Sequence, residues 1–109
     1  MTSLKYAIMD FGNHIRELRE AQNLLLRELA ASLDMDVAYL SKIERGNRAA
    51  RKEQVIAFAQ ALKQDQKELL QIWMADQIVD LIKEEEDVTE ILKIAQIKIR
   101  KLVKGKKQS

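Results

Sequence analysis

At 109 residues the chain has room for one compact domain and an appendage, and too little for two independent domains of ordinary size. Its 47% hydrophobic and 33% charged residues exclude a disordered polyelectrolyte, and a net charge of only +2 makes any charged partner a question of where charge sits. With no cysteine and a single histidine, His14, there is no disulfide framework and no ligand set for zinc, so neither a metal nor a cofactor is expected.

The absence of proline, three glycines and an abundance of Leu, Ile, Ala, Glu, Lys and Gln describe a helix former, and the expected fold class is all-α. The segment Met1 to Tyr6 has no apolar run that could act as a signal peptide. No window approaches the ~18 uninterrupted apolar residues of a membrane span. A cytoplasmic protein without membrane contact is the expectation.

From Asp10, the residues Phe11, Ile15, Leu18 and Gln22 recur at helical spacing, which predicts a first helix over about 10–23. Leu26, Leu29, Ala30 and Leu33 predict a short second helix ending near Asp34, a residue type that tolerates the left-handed conformation at a helix end. Asp36 is a suitable N-cap for a third helix, Val37 to Arg45, with Leu40 and Ile43 inward and Gly46-Asn47 as its stop. Val55, Phe58, Ala59 and Leu62 place a fourth over Lys52 to Lys63. Asp65 caps a long fifth, from Gln66 to about Glu84. The charge run Glu84 to Asp87 separates it from a sixth, about Val88 to Lys104, and the basic tail 105–109 is expected to be disordered.

The second and third helices, joined by a tight turn, bury Leu29, Ala30, Leu33, Met35, Leu40 and Ile43 together and leave Val37, Ala38, Tyr39, Ser41 and Lys42 outward. Those outward side chains are small, polar or basic, as a surface entering a DNA major groove must be. From Ser41 to Lys52 the basic residues Lys42, Arg45, Arg48, Arg51 and Lys52 meet one acid, Glu44. That is a local basic patch which the small net charge conceals.

The spacing from Leu29-Ala30 to the tetrad Ile43-Glu44-Arg45-Gly46 resembles the phage-repressor (XRE) family of helix-turn-helix regulators, over about Phe11 to Leu70. The resemblance implies a five-helix lambda-repressor-like DNA-binding domain over 8–70 with its helix-turn-helix at about 26–45. Residues 71–104 then form an additional helical extension for dimerisation. It implies an ion pair between Arg19 and Glu44 that fixes the recognition helix against the first helix. It also implies double-stranded DNA as partner, with the helix 37–45 in the major groove. Arg27, Arg45, Asn47, Arg48 and Arg51 would contact phosphates, and Val37, Ala38, Tyr39, Ser41 and Lys42 would face base edges. Four positions depart from the family pattern. Val37 and Ala38 offer contact with thymine methyls where other members carry polar readers. Leu25 stands where a polar cap is usual, and Asp34 replaces the turn glycine.

The sixth helix carries Val88, Ile91, Leu92, Ala95, Ile99, Leu102 and Val103 on one stripe, widened by Ile94 and Ile97 beyond what one neighbour would cover. A hairpin with the fifth helix would cover part of it. Ile91, Leu92, Ala95, Ile99 and Leu102 are then the expected homodimer surface, and a palindromic operator follows. The basic run from Lys98 complements the negative end of the sixth helix, and Trp73 is expected to be a packing residue. His14 has no acid and nucleophile around it, and no glycine-rich phosphate loop exists, so an enzyme is not expected. The favoured reading is a transcriptional regulator: a repressor, or the controller of a restriction–modification or toxin–antitoxin operon. The alternative is a protein-interaction adaptor, or an antitoxin-like component, whose C-terminal helices bind a partner protein.

Overall fold

Six α-helices and no strand are found among the residues that the computed structural model describes, 9–108: α1 Phe11–Ala21, α2 Leu26–Ser32, α3 Val37–Glu44, α4 Lys52–Ala61, α5 Gln66–Ile82 and α6 Val88–Gln108. Met1 to Tyr6, the expected domain start at residue 8, and Ser109 lie outside the described residues.

The first four helices stop earlier than hydrophobic periodicity alone predicts, for one shared reason. Beyond each, the backbone turns left-handed, at Asn23 (φ 57°), Asp34 (φ 51°), Gly46 (φ 78°) and Lys63 (φ 56°). The next amide then donates back over the helix end: Leu24 to the Arg19 carbonyl (3.1 Å), Met35 to Ala30 (2.9 Å), Asn47 to Lys42 (2.9 Å) and Gln64 to Ala59 (2.8 Å). This is the Schellman arrangement, which satisfies carbonyls that a helix end otherwise leaves open. It also turns Leu24 and Met35 back onto the core.

The N-termini are capped from within the chain. Asp10 Oδ1 accepts from the Asn13 amide (2.8 Å), Asp36 Oδ1 from Ala38 (2.7 Å) and Asp65 Oδ1 from Lys67 (2.8 Å). Leu25 supplies no polar cap to α2, but the Glu28 carboxylate accepts from the Leu25 amide at 2.8 Å, which is one half of a capping box.

Two compact units divide between Gln77 and Ile78, inside α5 and later than the expected boundary after residue 70. In the first unit, Phe11, Ile15, Leu29, Leu40, Phe58 and Leu69 are among the buried core residues, and the Phe11 and Phe58 rings meet edge to face at 5.8 Å. The start of α5 is held to this unit by polar contacts. Trp73 Nε1 donates to the Ala50 carbonyl (2.8 Å), and the Phe11 amide, an open donor at the start of α1, donates to Asp76 Oδ2 (2.7 Å). Trp73 is thus half-buried packing with its N–H satisfied. The second unit holds the last turn of α5, the acidic turn and α6. Ile82 is buried there and Val88 and Ile91 are half-buried, and α6 runs past Lys104 to Gln108.

His14 is buried on α1, and desolvation holds its imidazole below the ordinary value of 6.5 against the opposing pull of Glu17 and Glu68. Because the folded state resists the proton, stability is complete above the ordinary histidine range and declines as pH falls through and below it. Melting temperatures at pH 7 and pH 5 should therefore show a larger acid loss for the native chain than for His14→Gln. Replacing Lys63 by glycine removes the steric cost of a left-handed L-residue, ~1 kcal/mol or more, partly offset by the freedom glycine gains when unfolded. Urea denaturation of Lys63→Gly should show a net gain of about 0.5–1 kcal/mol.

Candidate nucleic-acid interface

Helix α3 has eight residues, too few to persist without tertiary support. Leu40 and Ile43 bury its inner side, and so does Glu44, a charged residue only 4% exposed. The Glu44 carboxylate is met by the Arg19 guanidinium in a two-point fork, Nε to Oε2 at 2.8 Å and Nη2 to Oε1 at 3.0 Å. Arg19 Nη1 donates in addition to the Leu24 carbonyl at 2.8 Å, so one side chain ties α1 to the end of α3 and to the turn before α2. The hydrogen bond to Glu44 holds the Arg19 pKa above its ordinary value, against an opposing desolvation.

A second contact, at Gly12, was not singled out from sequence. A Cβ built at this buried glycine would overlap the Ile43 carbonyl oxygen and lie 2.8 Å from that of Glu44. Backbone of α1 and backbone of α3 therefore touch where any side chain would force them apart. The available signal was an isolated glycine inside an otherwise helical pattern.

On its outer side α3 presents Val37, 43% exposed, together with the exposed Ala38 and Lys42, while Ser41 and Tyr39 are half-buried. The Tyr39 hydroxyl donates to Gln54 Oε1 at 3.3 Å, and the same oxygen accepts from the Arg51 amide at 2.8 Å. The Arg48 guanidinium lies over the Tyr39 ring, 4.9 Å from its centroid. Gln54, also absent from the sequence expectations, thus joins α3 to the start of α4. An open groove of about 670 Å³ is lined by Ala38, Tyr39, Lys42, Arg48, Arg51 and Gln54, with Asp34 and Asp36 also contributing.

Five of the ten residues expected at DNA do not line that groove. Arg27 is exposed on the first turn of α2, Val37 and Ser41 lie along α3, and Asn47 uses its backbone amide in the α3 cap. Arg45 folds back along α3, with Nε donating to the Ser41 carbonyl at 3.3 Å. Glu44 is sequestered by Arg19; the acids left at the patch are Asp34 and Asp36, exposed where they line the groove, and the exposed Glu53, 3.8 Å from Arg51. What the face presents is a set of exposed cationic donors around a short helix of small side chains. Such a surface suits polyanion contact and close approach to base edges.

Residues 10–71 match the family model described as "Helix-turn-helix domain". Among solved structures, the restriction-modification controller protein C.AhdI from Aeromonas hydrophila is 36% identical over 54% of this chain and 89% of its own, with a TM-score of 0.52. The clp gene regulator ClgR from C. glutamicum is 26% identical over 70% of this chain and 95% of its own, with a TM-score of 0.53. The SinR protein/SinI protein complex, 21% identical over 84% of this chain and 97% of that one with a TM-score of 0.51, is a likeness of fold alone. No curated protein sequence matches the chain.

Removing one member of a buried pair leaves the other desolvated without compensation, which costs about 3–5 kcal/mol. Glu44→Ala should lose stability in that range in urea. The double variant Arg19→Met, Glu44→Leu should recover a substantial part of it, and the comparison measures how far the pair serves orientation rather than stability.

Proposed function

Because the chain belongs to the helix-turn-helix domain family, as one of the phage-repressor-like (XRE-type) regulators that share a lambda-repressor-like helical fold and are not enzymes, we propose that it is an operator-binding homodimer docking α3 in the major groove. The observation that carries this reading is the withdrawal of Glu44 onto Arg19. The one acid of α3 is taken off the surface, and Lys42, Arg45, Arg48 and Arg51 stay exposed.

Affinity comes from phosphates: Arg27, Arg45, Asn47, Arg48 and Arg51 neutralise or donate to the backbone and set the register. Discrimination comes from Lys42 at guanine, from Ser41, and from Val37 and Ala38 against thymine methyls. Tyr39 acts differently from a free base reader. Its phenol is engaged by Gln54 and its ring carries Arg48, so it positions that arginine, with its ring edge left for a methyl contact. Ile91, Leu92, Ala95, Ile99 and Leu102 form the dimer surface, and two copies of α3 reach half-sites about 34 Å apart in a palindromic operator. Similarity to a restriction-modification controller and to a clp gene regulator supports control of transcription, with a restriction–modification or comparable operon as the target class. The cytoplasm is the corresponding location. No helix among the described residues is long and apolar enough to cross a membrane.

Selection of binding sites from random duplexes, followed by salt-titrated binding, tests the reading. Arg48→Ala should weaken selected and random DNA alike and lower the salt slope by about 1. Lys42→Ala should cost ~1–3 kcal/mol on the selected site and relax its preference at one position. A chain that binds selected DNA no better than random, with both variants unchanged, is not an operator-binding regulator.

A further inference from the structure

In α6, Val88, Leu92, Ala95, Ile99 and Leu102 alternate in steps of four and three, which is the seam of a two-stranded coil. None of the residues of α6 whose side chains are described is buried, and Leu92 (45%), Ile99 (58%) and Leu102 (64%) are widely exposed. A helix of this length with no buried side chain gains little from its own chain, since packing of an apolar face supplies most helical stability.

Charge along the helix is polarised. Glu84, Glu85, Glu86, Asp87 and Glu90 crowd its start, and Lys98, Arg100, Lys101 and Lys104 its end, with no acid after Glu90. Two such helices side by side in the same direction would set acid against acid and base against base. Turned end for end, each acidic start lies along the other's basic end, and the two helix dipoles oppose. Ala95 falls near the middle of the seam, where a small side chain lets the helices approach closely.

We propose that α6 pairs with α6 of a second copy of this chain in an antiparallel seam whose two-fold axis passes near Ala95. This rests on the homodimer reading and adds its direction. The pairing brings the two chains into the seam at opposite ends, roughly 20–30 Å apart at a rise of 1.5 Å per residue, comparable with the half-site spacing of about 34 Å. Parallel pairing would bring them in side by side.

The chain has no cysteine, so single nitroxide labels can be placed on the 109-residue chain at Thr89→Cys, Gln96→Cys and Val103→Cys, three exposed positions spaced by one heptad. Sedimentation equilibrium at micromolar concentration establishes the dimer, and electron spin resonance then reads the separation between identical labels. The expected profile has its minimum at Gln96, with the Val103 pair longer by about 10 Å. Mixing Thr89-labelled with Val103-labelled chains should give a short cross-distance that neither shows alone. Equal separations at all three positions mean a parallel seam and overturn the proposal. A dimer without spin coupling at any position overturns pairing through α6 and leaves the homodimer reading standing. A monomer overturns both, while operator binding by the first unit is decided separately by the DNA assay.

Discussion

The orientation of α3 depends on one buried ion pair. An eight-residue helix has four amides and four carbonyls open at its two ends, so its direction is set by what holds it. Arg19 and Glu44 hold it through paired hydrogen bonds of 2.8 and 3.0 Å. Ion pairs taken out of water roughly break even against apolar replacements, so stability is a weak reason for this one. Direction is a better reason: a planar fork accepts a carboxylate in few geometries, whereas a leucine would accept many. Gly12 makes the second point of attachment, because two backbones in contact cannot slide without collision. Together they turn a short helix into a rigid projection, which is what reading base edges demands.

The same pair decides the electrostatics of the face. A carboxylate left on the surface of α3 would sit among Lys42, Arg45 and Arg48 and cancel part of their field at short range. Placed against Arg19 it cancels a charge of α1 instead. The remaining cations differ in freedom. Lys42 extends from the helix, whereas Arg48 is restrained over Tyr39 and Arg51 begins α4, with its amide on Gln54. Restraint lowers the entropy lost when a phosphate is bound, so Arg48 suits positioning, while Lys42, and Arg51 with its guanidinium exposed, suit adaptation to what they meet.

Helix number, order and inward faces were legible in the sequence because each depends on periodicity within a dozen residues. The helix ends were legible only where a residue type announced a left-handed turn, as Asn23, Asp34 and Gly46 do. Lys63 announces nothing. It takes the same conformation because Gln64 closes a bond to Ala59 and Leu62 is buried, and tertiary packing overrides its preference. The site divides along the same line. The basic patch between Lys42 and Lys52 is a local run and could be read directly. Gln54 could not, since its partner Tyr39 is fifteen positions away and one glutamine among many carries no mark. Nor could the fold-back of Arg45 onto Ser41, which shortens the reach of a residue that looks free in the sequence. The division of the compact units within α5 is not legible locally for a comparable reason: Trp73 and Asp76 bond to Ala50 and Phe11 across long separations.

The two compact units solve the same problem in opposite ways. In the first, apolar side chains are matched to one another across five helices, and the buried carboxylate of Glu44 is paired with Arg19. In the second, apolar side chains outnumber the partners that its short length provides, and Leu81, Ile97 and Leu102 remain more than half exposed. Exposed apolar area on that scale is an aggregation hazard unless its geometry restricts what can cover it. The restriction is supplied by charge. With acids at one end of α6 and bases at the other, a copy aligned in the same direction would meet like charges at both ends, whereas the reversed alignment proposed above would set opposite charges together. A net charge of only +2 therefore conceals two local polarisations, a basic patch beside α3 and an acid-to-base gradient along α6.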